Sequence, residues 1–389
     1  MPSVALLARP ADEPSGHPVL PRLLGLLERG WEAHLVCLGV DTSELPGVDT
    51  LSDDVLRERV HPPPPTSRRR LPRRSLLLGL TASLAGHPRI VWRQTMRERP
   101  PAERYARAVM AALRPDLVHV PSAADAYALA ALVKAIGSRL VVSIRWDDVD
   151  GLGFAPERDG AIWESADAFH LETEALDALG HRRGRPERPT AVIAPVPDPE
   201  LAAGPRRDSS DHGSMRILSL GPLSWTHGYE HALSALRLLA DHGVGCVYRI
   251  VGQGEFADAL AFARHQLGLE SLVEFVEPNG RRDFRDHLRW ADVLLNAAVV
   301  PSSPKPLVDA WALGLPVVTT ETAAGLGELA IAVPRRDPGA IAAALAALAA
   351  SPSRRRAPAE PGRLQAPTGS TDPVELFCEL YRRTLGETR

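Results

Sequence analysis

Two successive α/β domains, each a parallel sheet wound with helices on both faces, are predicted by three features of the sequence. Short apolar runs alternate with helical segments, the alternation breaks after residue 194, and it restarts at Met215. The 389 residues suit about two domains at roughly 100–200 residues each.

The elements follow in order. Val4 to Ala8 is a short apolar run that predicts a buried first strand. Pro18 to Arg29 carries Leu20, Leu23, Leu24 and Leu27 at helical spacing, and Gly30 stops that helix. Ala33 to Val40 is the second strand, which completes a strand–helix–strand unit. The pattern recurs as a helix over Ala102 to Leu113, a strand over Leu117 to Val120, a helix over Ala124 to Ile136 and a strand over Leu140 to Ile144. The stretch Pro195 to Ser214 is dominated by Pro, Gly and polar residues and predicts an interdomain linker. Beyond it come strands over Met215 to Leu220 and Val247 to Val251, with helices over Tyr229 to Asp241 and Phe256 to Gln266. Strands over Leu272 to Phe275, Val293 to Leu295 and Pro316 to Thr320 follow, with a helix over Pro306 to Leu313 before the last of them. Pro338 to Ala350 and Pro373 to Leu385 are the closing helices. The expected organisation is a Rossmann-like domain over 1–194, a linker over 195–214, a second Rossmann-like domain over 215–372 and a terminal helix over 373–389.

Composition narrows the function. Hydrophobic residues at 44% and charged residues at 24% exclude a disordered chain. A net charge of -3 gives no footprint for bulk nucleic-acid binding. Three dispersed cysteines, Cys37, Cys246 and Cys378, show no metal-ligand spacing and argue for a reducing compartment. The start MPSVALLARPADEPSG lacks a signal peptide's basic start and long apolar core, and no apolar run reaches the ~18–20 residues of a membrane span. A cytoplasmic location is expected. No His/Asp/Glu cluster has clear metal spacing, and His231, His242, His265 and His287 are expected on the surface.

The segment Arg216 to Gly254 carries the most chemistry. A strand ends in Gly221, a loop follows, and Gly228 opens a helix. Helix N-termini present unpaired N–H groups and a positive dipole end, and glycine admits phosphate close to the backbone. Gly252 and Gly254 repeat that logic after the next strand. The same strand–glycine–helix turn also occurs in doubly wound domains with no phosphate ligand.

The chain then presents an ordered series: Leu267-Gly268-Leu269, Val273-Glu274-Phe275, Trp290-Ala291-Asp292-Val293, and Asp309-Ala310-Trp311-Ala312-Leu313-Gly314-Leu315-Pro316-Val317-Val318. With the two glycine loops, this series resembles the family 4 retaining glycosyltransferases, strongest from about Arg216 to Thr320. The N-terminal half fits more loosely, through Leu26 to Ala33 and through Ser143-Ile144-Arg145-Trp146-Asp147-Asp148.

The resemblance implies a GT-B fold, two Rossmann-like domains facing a central cleft. It implies transfer of a sugar, with retention, from a UDP- or GDP-linked donor to a glycan, lipid-linked or natural-product acceptor, with no cofactor or metal. It places donor binding at Gly221, Gly228, Gly252, Gly254, Lys305 and Asp309, with His227 facing the diphosphate and Asp309 the ribose. Arg145 and Asp148 then shape the acceptor side, where Trp146 is expected to narrow the cleft. Each has a plainer reading: Asp309 as a helix-start acid, Lys305 as a solvated cation, Arg145 and Asp148 as a structural ion pair.

The chain departs from the family at two places. Pro222 stands where a basic residue follows the first glycine, and Pro301 aligns with the first Glu of the Glu-x7-Glu motif. A second expectation therefore stands beside the first: a GT-B protein that has lost catalysis and serves as a binding or scaffold subunit. Finally, Arg68, Arg69, Arg70, Arg73 and Arg74 precede the leucine-rich run at Leu76 to Leu80, a layout for peripheral contact with anionic lipid or, equally, for a solvated loop before a core helix.

Overall fold

The structure is a computed structural model that describes residues 1–8, 19–38, 51–62, 101–146, 148, 156–198, 200–201, 213–278, 281–320, 330–351 and 372–387. The basic run containing Arg68, Arg69, Arg70, Arg73 and Arg74 lies outside the described residues.

The first part of the chain forms β1 (Ser3–Ala8), α1 (Val19–Glu28), β2 (Glu32–Cys37), α2 (Asp53–Arg59), β3 (Val60–His61), α3 (Pro101–Leu113) and β4 (Leu117–Val120). It continues through α4 (Ala123–Ile136), β5 (Arg139–Ile144), α5 (Pro156–Ser165), β6 (Ala168–Leu171), α6 (Glu174–Arg182) and β7 (Thr190–Val192). The second part holds β8 (Met215–Leu220), a 3-10 turn (Trp225–His227), α7 (Tyr229–Asp241), β9 (Cys246–Val251), α8 (Ala257–Gln266) and β10 (Val273–Val276). After these come α9 (Arg281–Trp290), β11 (Val293–Asn296), α10 (Lys305–Ala312), β12 (Val317–Thr319), β13 (Ala330–Ala332) and α11 (Pro338–Ala349), and α12 (Pro373–Leu385) closes the chain.

Two parallel sheets result, with strand orders β3-β2-β1-β4-β5-β6-β7 and β10-β9-β8-β11-β12-β13. Both orders reverse direction in the middle, between β1 and β4 and between β8 and β11. Such a switch point opens a crevice at the carboxyl ends of the strands, because the connecting loops there leave toward opposite faces. The chain divides into one compact unit of Met1–Ala194 with Asp372–Arg389, and a second of Pro195–Thr371.

Local chemistry explains the element ends. Ser122 accepts from the Asp125 N–H at 3.2 Å and caps α4, whose last turn stops at Gly137 with φ 80°. Strands over Leu117–Val120 and Met215–Leu220 match the expected bounds, and most others differ by one to three residues. The sequence reading left out α2, β3, α5, β6, α6, β7, α9 and β13. The segment 195–201 was expected to begin a linker. Instead it packs within the second unit, with Leu201 buried in the core beside Leu218 and Leu294.

The last helix belongs to the first unit. Phe377, Cys378, Leu380 and Tyr381 are buried against Leu6, Leu23, Leu26 and Leu35 on one face of the sheet. A hydrogen-bond chain crosses that interface. His170 Nε2 lies 3.2 Å from the Ile193 carbonyl, which can only accept, so this nitrogen carries the proton. Burial lowers the His170 pKa to about 3, so the ring is neutral and its Nδ1 accepts from Ser143 Oγ–H at 2.8 Å. Ser143 Oγ then accepts from His119 Nε2–H at 2.8 Å, and His119 Nδ1 accepts from the Tyr381 hydroxyl at 2.6 Å. One carbonyl thus fixes the tautomers of two buried imidazoles.

Replacing Tyr381 by Phe should remove the donor at the head of this chain. Urea denaturation should show a loss of about 0.5–1.5 kcal/mol, the net contribution of one buried hydrogen bond, because Arg22 Nη1 remains 3.3 Å from the same nitrogen, with the helix content unchanged.

Candidate functional site

In the second unit the switch-point loops are forced together. A Cβ on Gly252 would lie 1.9 Å from the Gly221 carbonyl oxygen, and one on Gly254 would lie 2.3 Å from the Leu223 carbonyl oxygen. A Cβ on Gly228 would lie 2.2 Å from the Ala297 carbonyl oxygen. Gly221 itself has φ 149°, and Gly228 has φ 63°. Gly228, Gly252 and Gly254 are therefore needed for backbone crossing, because any side chain there would overlap a main-chain atom, and Gly221 is needed for its positive φ beneath the His227 and Tyr229 side chains.

This crossing sets the entry of α7. Gly228 is its N-cap and offers no side chain to the first N–H groups, which point outward from the helix start. The preceding turn is held from β11, since Val299 N–H donates to the Thr226 carbonyl at 2.8 Å. His227 stands over Gly221, where a Cβ would meet its ring at 3.0 Å. Its Nδ1 is 2.9 Å from Ser224 Oγ and 3.1 Å from Thr226 Oγ1, and its ring stacks on Tyr229 at 5.8 Å between centroids. Tyr229 in turn donates its hydroxyl to the Gly221 carbonyl at 3.1 Å. Gly221, Gly228, Gly252, Gly254 and His227 are thus brought together at one helix start. Such a start can receive an anion. The exposed Pro222 adds no charge there.

Lys305 and Asp309 lie one turn apart on α10, both buried, and the ammonium is paired with both carboxylate oxygens. Asp309 Oδ1 also accepts from the Asp198 N–H at 2.9 Å. Burial pushes the Asp309 carboxyl above its usual range, and Lys305 pulls it back only in part. The sequence reading took Lys305 as a phosphate-facing or solvated cation and Asp309 as a ribose acceptor. The structure shows each engaged by the other. Asp198 continues the network, receiving two bonds from the Arg285 guanidinium at 2.7 and 3.2 Å, while Arg285 also pairs with Glu200. These contacts tie Asp198 and Glu200 to α9 and α10.

In the first unit, Asp148 acts on the backbone. Its carboxylate accepts from the Ala123 N–H at 3.2 Å and from the Arg145 N–H at 3.0 Å, with Arg145 Nε 4.0 Å away. Trp146, expected to narrow a cleft, is instead buried in the core and donates to Thr173 Oγ1 at 3.2 Å. His287, expected on the surface, is also buried, within 3.4 Å of Asp283 and 3.2 Å of Arg249.

Arg145 reaches a small pocket, open to solvent, at the β1/β4 switch point. Leu6, Val19, Arg22, His119, Ser143, His170 and Glu172 also line it. Arg22, His119, His170 and Glu172 were not singled out from the sequence. A signal existed for two of them: the otherwise apolar strands LVHV and AFHL each carry a histidine at the third position. Among the described residues, no group of three or more His, Cys, Asp or Glu is arranged to hold a metal. No described helix is long and apolar enough to cross a membrane.

These two units have the GT-B class of fold, a likeness that extends over the whole chain. Sucrose-phosphate synthase from Thermosynechococcus elongatus is similar at TM-score 0.66 and 17% identity, covering 100% of both chains. HepE of Anabaena, solved in complex with UDP and glucose, is similar at TM-score 0.61 and 14% identity, covering 99% of both. At these identities the likeness is one of fold.

Residues 214–351 match the family model described as Glycosyl transferases group 1. The Escherichia coli (strain K12) protein WcaL, named for colanic acid biosynthesis as a glycosyltransferase, is 32% identical over 155 residues. That alignment spans 37% of this chain and 38% of WcaL, so the chain matches well under half the length of this relative. The matched family segment contains all four loop glycines, His227, Lys305 and Asp309.

The Lys305–Asp309 pair yields a test. Lys305→Met should leave a buried carboxylate unpaired and destabilise the protein by about 3–5 kcal/mol in denaturant melts. Lys305→Met with Asp309→Asn should recover most of that loss, because the neutral amide still accepts from Asp198. Equal stability of the single and double variants would show the pair to be dispensable.

Proposed function

We propose that the protein is a glycosyltransferase that moves a sugar, with retention, from a nucleoside diphosphate sugar to a glycan, lipid-linked or natural-product acceptor. The observation that supports it best is the coincidence of the family segment with the glycine crossing that leaves the start of α7 without a side-chain cap. Breaking the glycosyl–phosphate bond builds positive charge on the anomeric carbon and negative charge on the departing diphosphate. The first N–H groups of α7 and His227 are the groups on this chain that meet that negative charge, with no metal required. Asp309 receives a ribose only by exchanging the Lys305 ammonium for hydroxyls, so Lys305 and Asp309 act as one donor-side unit. Arg145 and Asp148 belong to the acceptor side, Asp148 by holding the loop that carries Arg145.

Three observations favour a second reading, a fold retained as a binding or scaffold subunit: Pro222 and Pro301 in place of charged residues, and the mutual engagement of Lys305 and Asp309. The two readings separate on turnover. Calorimetric titration with UDP and GDP should show binding that His227→Ala weakens by about 1.5–3 kcal/mol, the range for a hydrogen bond to a charged group. Release of nucleotide from the matching sugar donor supports the transferase; binding without any release supports the scaffold; no binding of either nucleotide defeats both.

The five arginines at 68, 69, 70, 73 and 74 are proposed as a contact for anionic lipid that brings the enzyme to a membrane-borne acceptor. At ~1 kcal/mol per cation near such a surface, the wild type should sediment with anionic vesicles at low salt, and changing all five to Ser should return it to the supernatant. A wild type that never sediments rules the contact out.

A further inference from the structure

Arg22 is an unusual lining for the pocket of the first unit. It sits on α1 among leucines and is 9% exposed. Its guanidinium carbon lies 3.8 Å above the Phe377 ring, and Nη1 donates to His119 Nδ1 at 3.3 Å. Its Nε is buried with no hydrogen-bond partner. Among the described residues Arg22 forms no ion pair; its neighbours Tyr381 and Phe377 carry no charge, and His119 meets it with an accepting nitrogen. Burial lowers its pKa from the ordinary value, with Tyr381 opposing. A cation in such surroundings is stabilised by any anion that reaches it, since no described carboxylate is paired with it.

The rest of the lining says what kind of anion. His119, Ser143 and His170 have their ring nitrogens and hydroxyl engaged in the chain from Tyr381 to Ile193. They form walls and are not available as ion-binding groups. Among the described residues the charged groups on the pocket are Arg22, Arg145 and Glu172, and Arg145 already has the Asp148 carboxylate 4.0 Å away. The buried Arg22 guanidinium, with its Nε unpartnered, suits one negative charge, with hydroxyls beside it for the Glu172 carboxylate to accept from.

We propose that this pocket holds an oxyanion carried by the acceptor, a carboxylate or a phosphate, between Arg22 and Arg145, with a neighbouring sugar hydroxyl on Glu172. This rests on the glycosyltransferase reading and names the acceptor class: a glycan end that bears an acidic group. The planar guanidinium fork matches two oxygens of either group. A uronate carboxylate and a sugar-linked phosphate share that chemistry.

The full chain serves for the test, with methyl glucuronide, methyl glucoside and inorganic phosphate as probes followed by ligand-observed NMR. The glucuronide should bind at least about tenfold more tightly than the neutral glucoside, with the preference shrinking as salt rises. Displacement of the glucuronide by phosphate at lower concentration than the glucuronide itself needs assigns the site to phosphate; the reverse assigns it to uronate. Arg22→Met, checked by circular dichroism, should abolish the preference, and Arg22→Lys should keep part of it. Equal binding of glucuronide and glucoside by the wild type overturns the proposal, whatever the variants do. So does an unchanged preference in a folded Arg22→Met protein. UDP titration of the same samples separates the two levels: UDP bound without any charge preference strikes only the acidic-acceptor proposal, and no UDP binding strikes the reading beneath it.

Discussion

The hydrogen bond from Tyr381 to His119 is the constraint on which the first unit depends. It joins the last helix to a strand 262 residues earlier in the chain, across a face of leucines. Polar groups inside such a face are tolerated only when each is satisfied, since an unpaired one loses its water without compensation. Here the demand is met by a directed series of neutral donors and acceptors that ends on a main-chain oxygen. Because His119 and His170 are neutral within it, the positive charge at the head of the pocket comes from Arg22 and Arg145. The packing of α12 and the electrostatics of the switch point are thus one arrangement.

The second unit answers a different demand with backbone. Its loops cross so closely that Gly221, Gly228, Gly252 and Gly254 are required before any ligand is considered. The same closeness leaves the start of α7 without a capping side chain, so a steric necessity and an anion-binding geometry share residues. The buried Lys305–Asp309 pair is the other fixed point. It is charged, short in sequence and satisfied in part by Asp198, which anchors the segment that enters the unit. Pairs of this kind contribute little net stability but are costly to break on one side, which makes them strong determinants of local geometry.

The alternation of apolar runs and helical segments made both sheets legible, because parallel strands buried on two faces read as short hydrophobic runs. Strands β8 and β4 were legible to the residue. What escaped were elements that lacked such a run: β3 has two residues, and α9 is rich in charge, RRDFRDHLRW, so neither stands out from a loop. In the site, the glycines and His227 were readable from their place between a strand and a helix. Their steric role was not, because it depends on which carbonyl lies opposite. Lys305 and Asp309 could be named separately, yet their mutual pairing is a property of burial that composition does not carry. Arg22, His119 and His170 went unnoticed because each is a polar residue in an apolar element, and only the far end of the chain explains why it is tolerated there.

The first unit is assembled from two stretches of chain, residues 1–194 and 372–389, with the whole second unit between them. During synthesis, residues 195–371 emerge from the ribosome before Phe377 and Tyr381 exist. The N-terminal sheet must therefore wait with the face beside α1 only partly covered and His119 without its hydroxyl partner, while the later sheet already has every strand it needs. The first unit consequently cannot complete its packing until the whole of the second has been made, although its own strands come first in the chain.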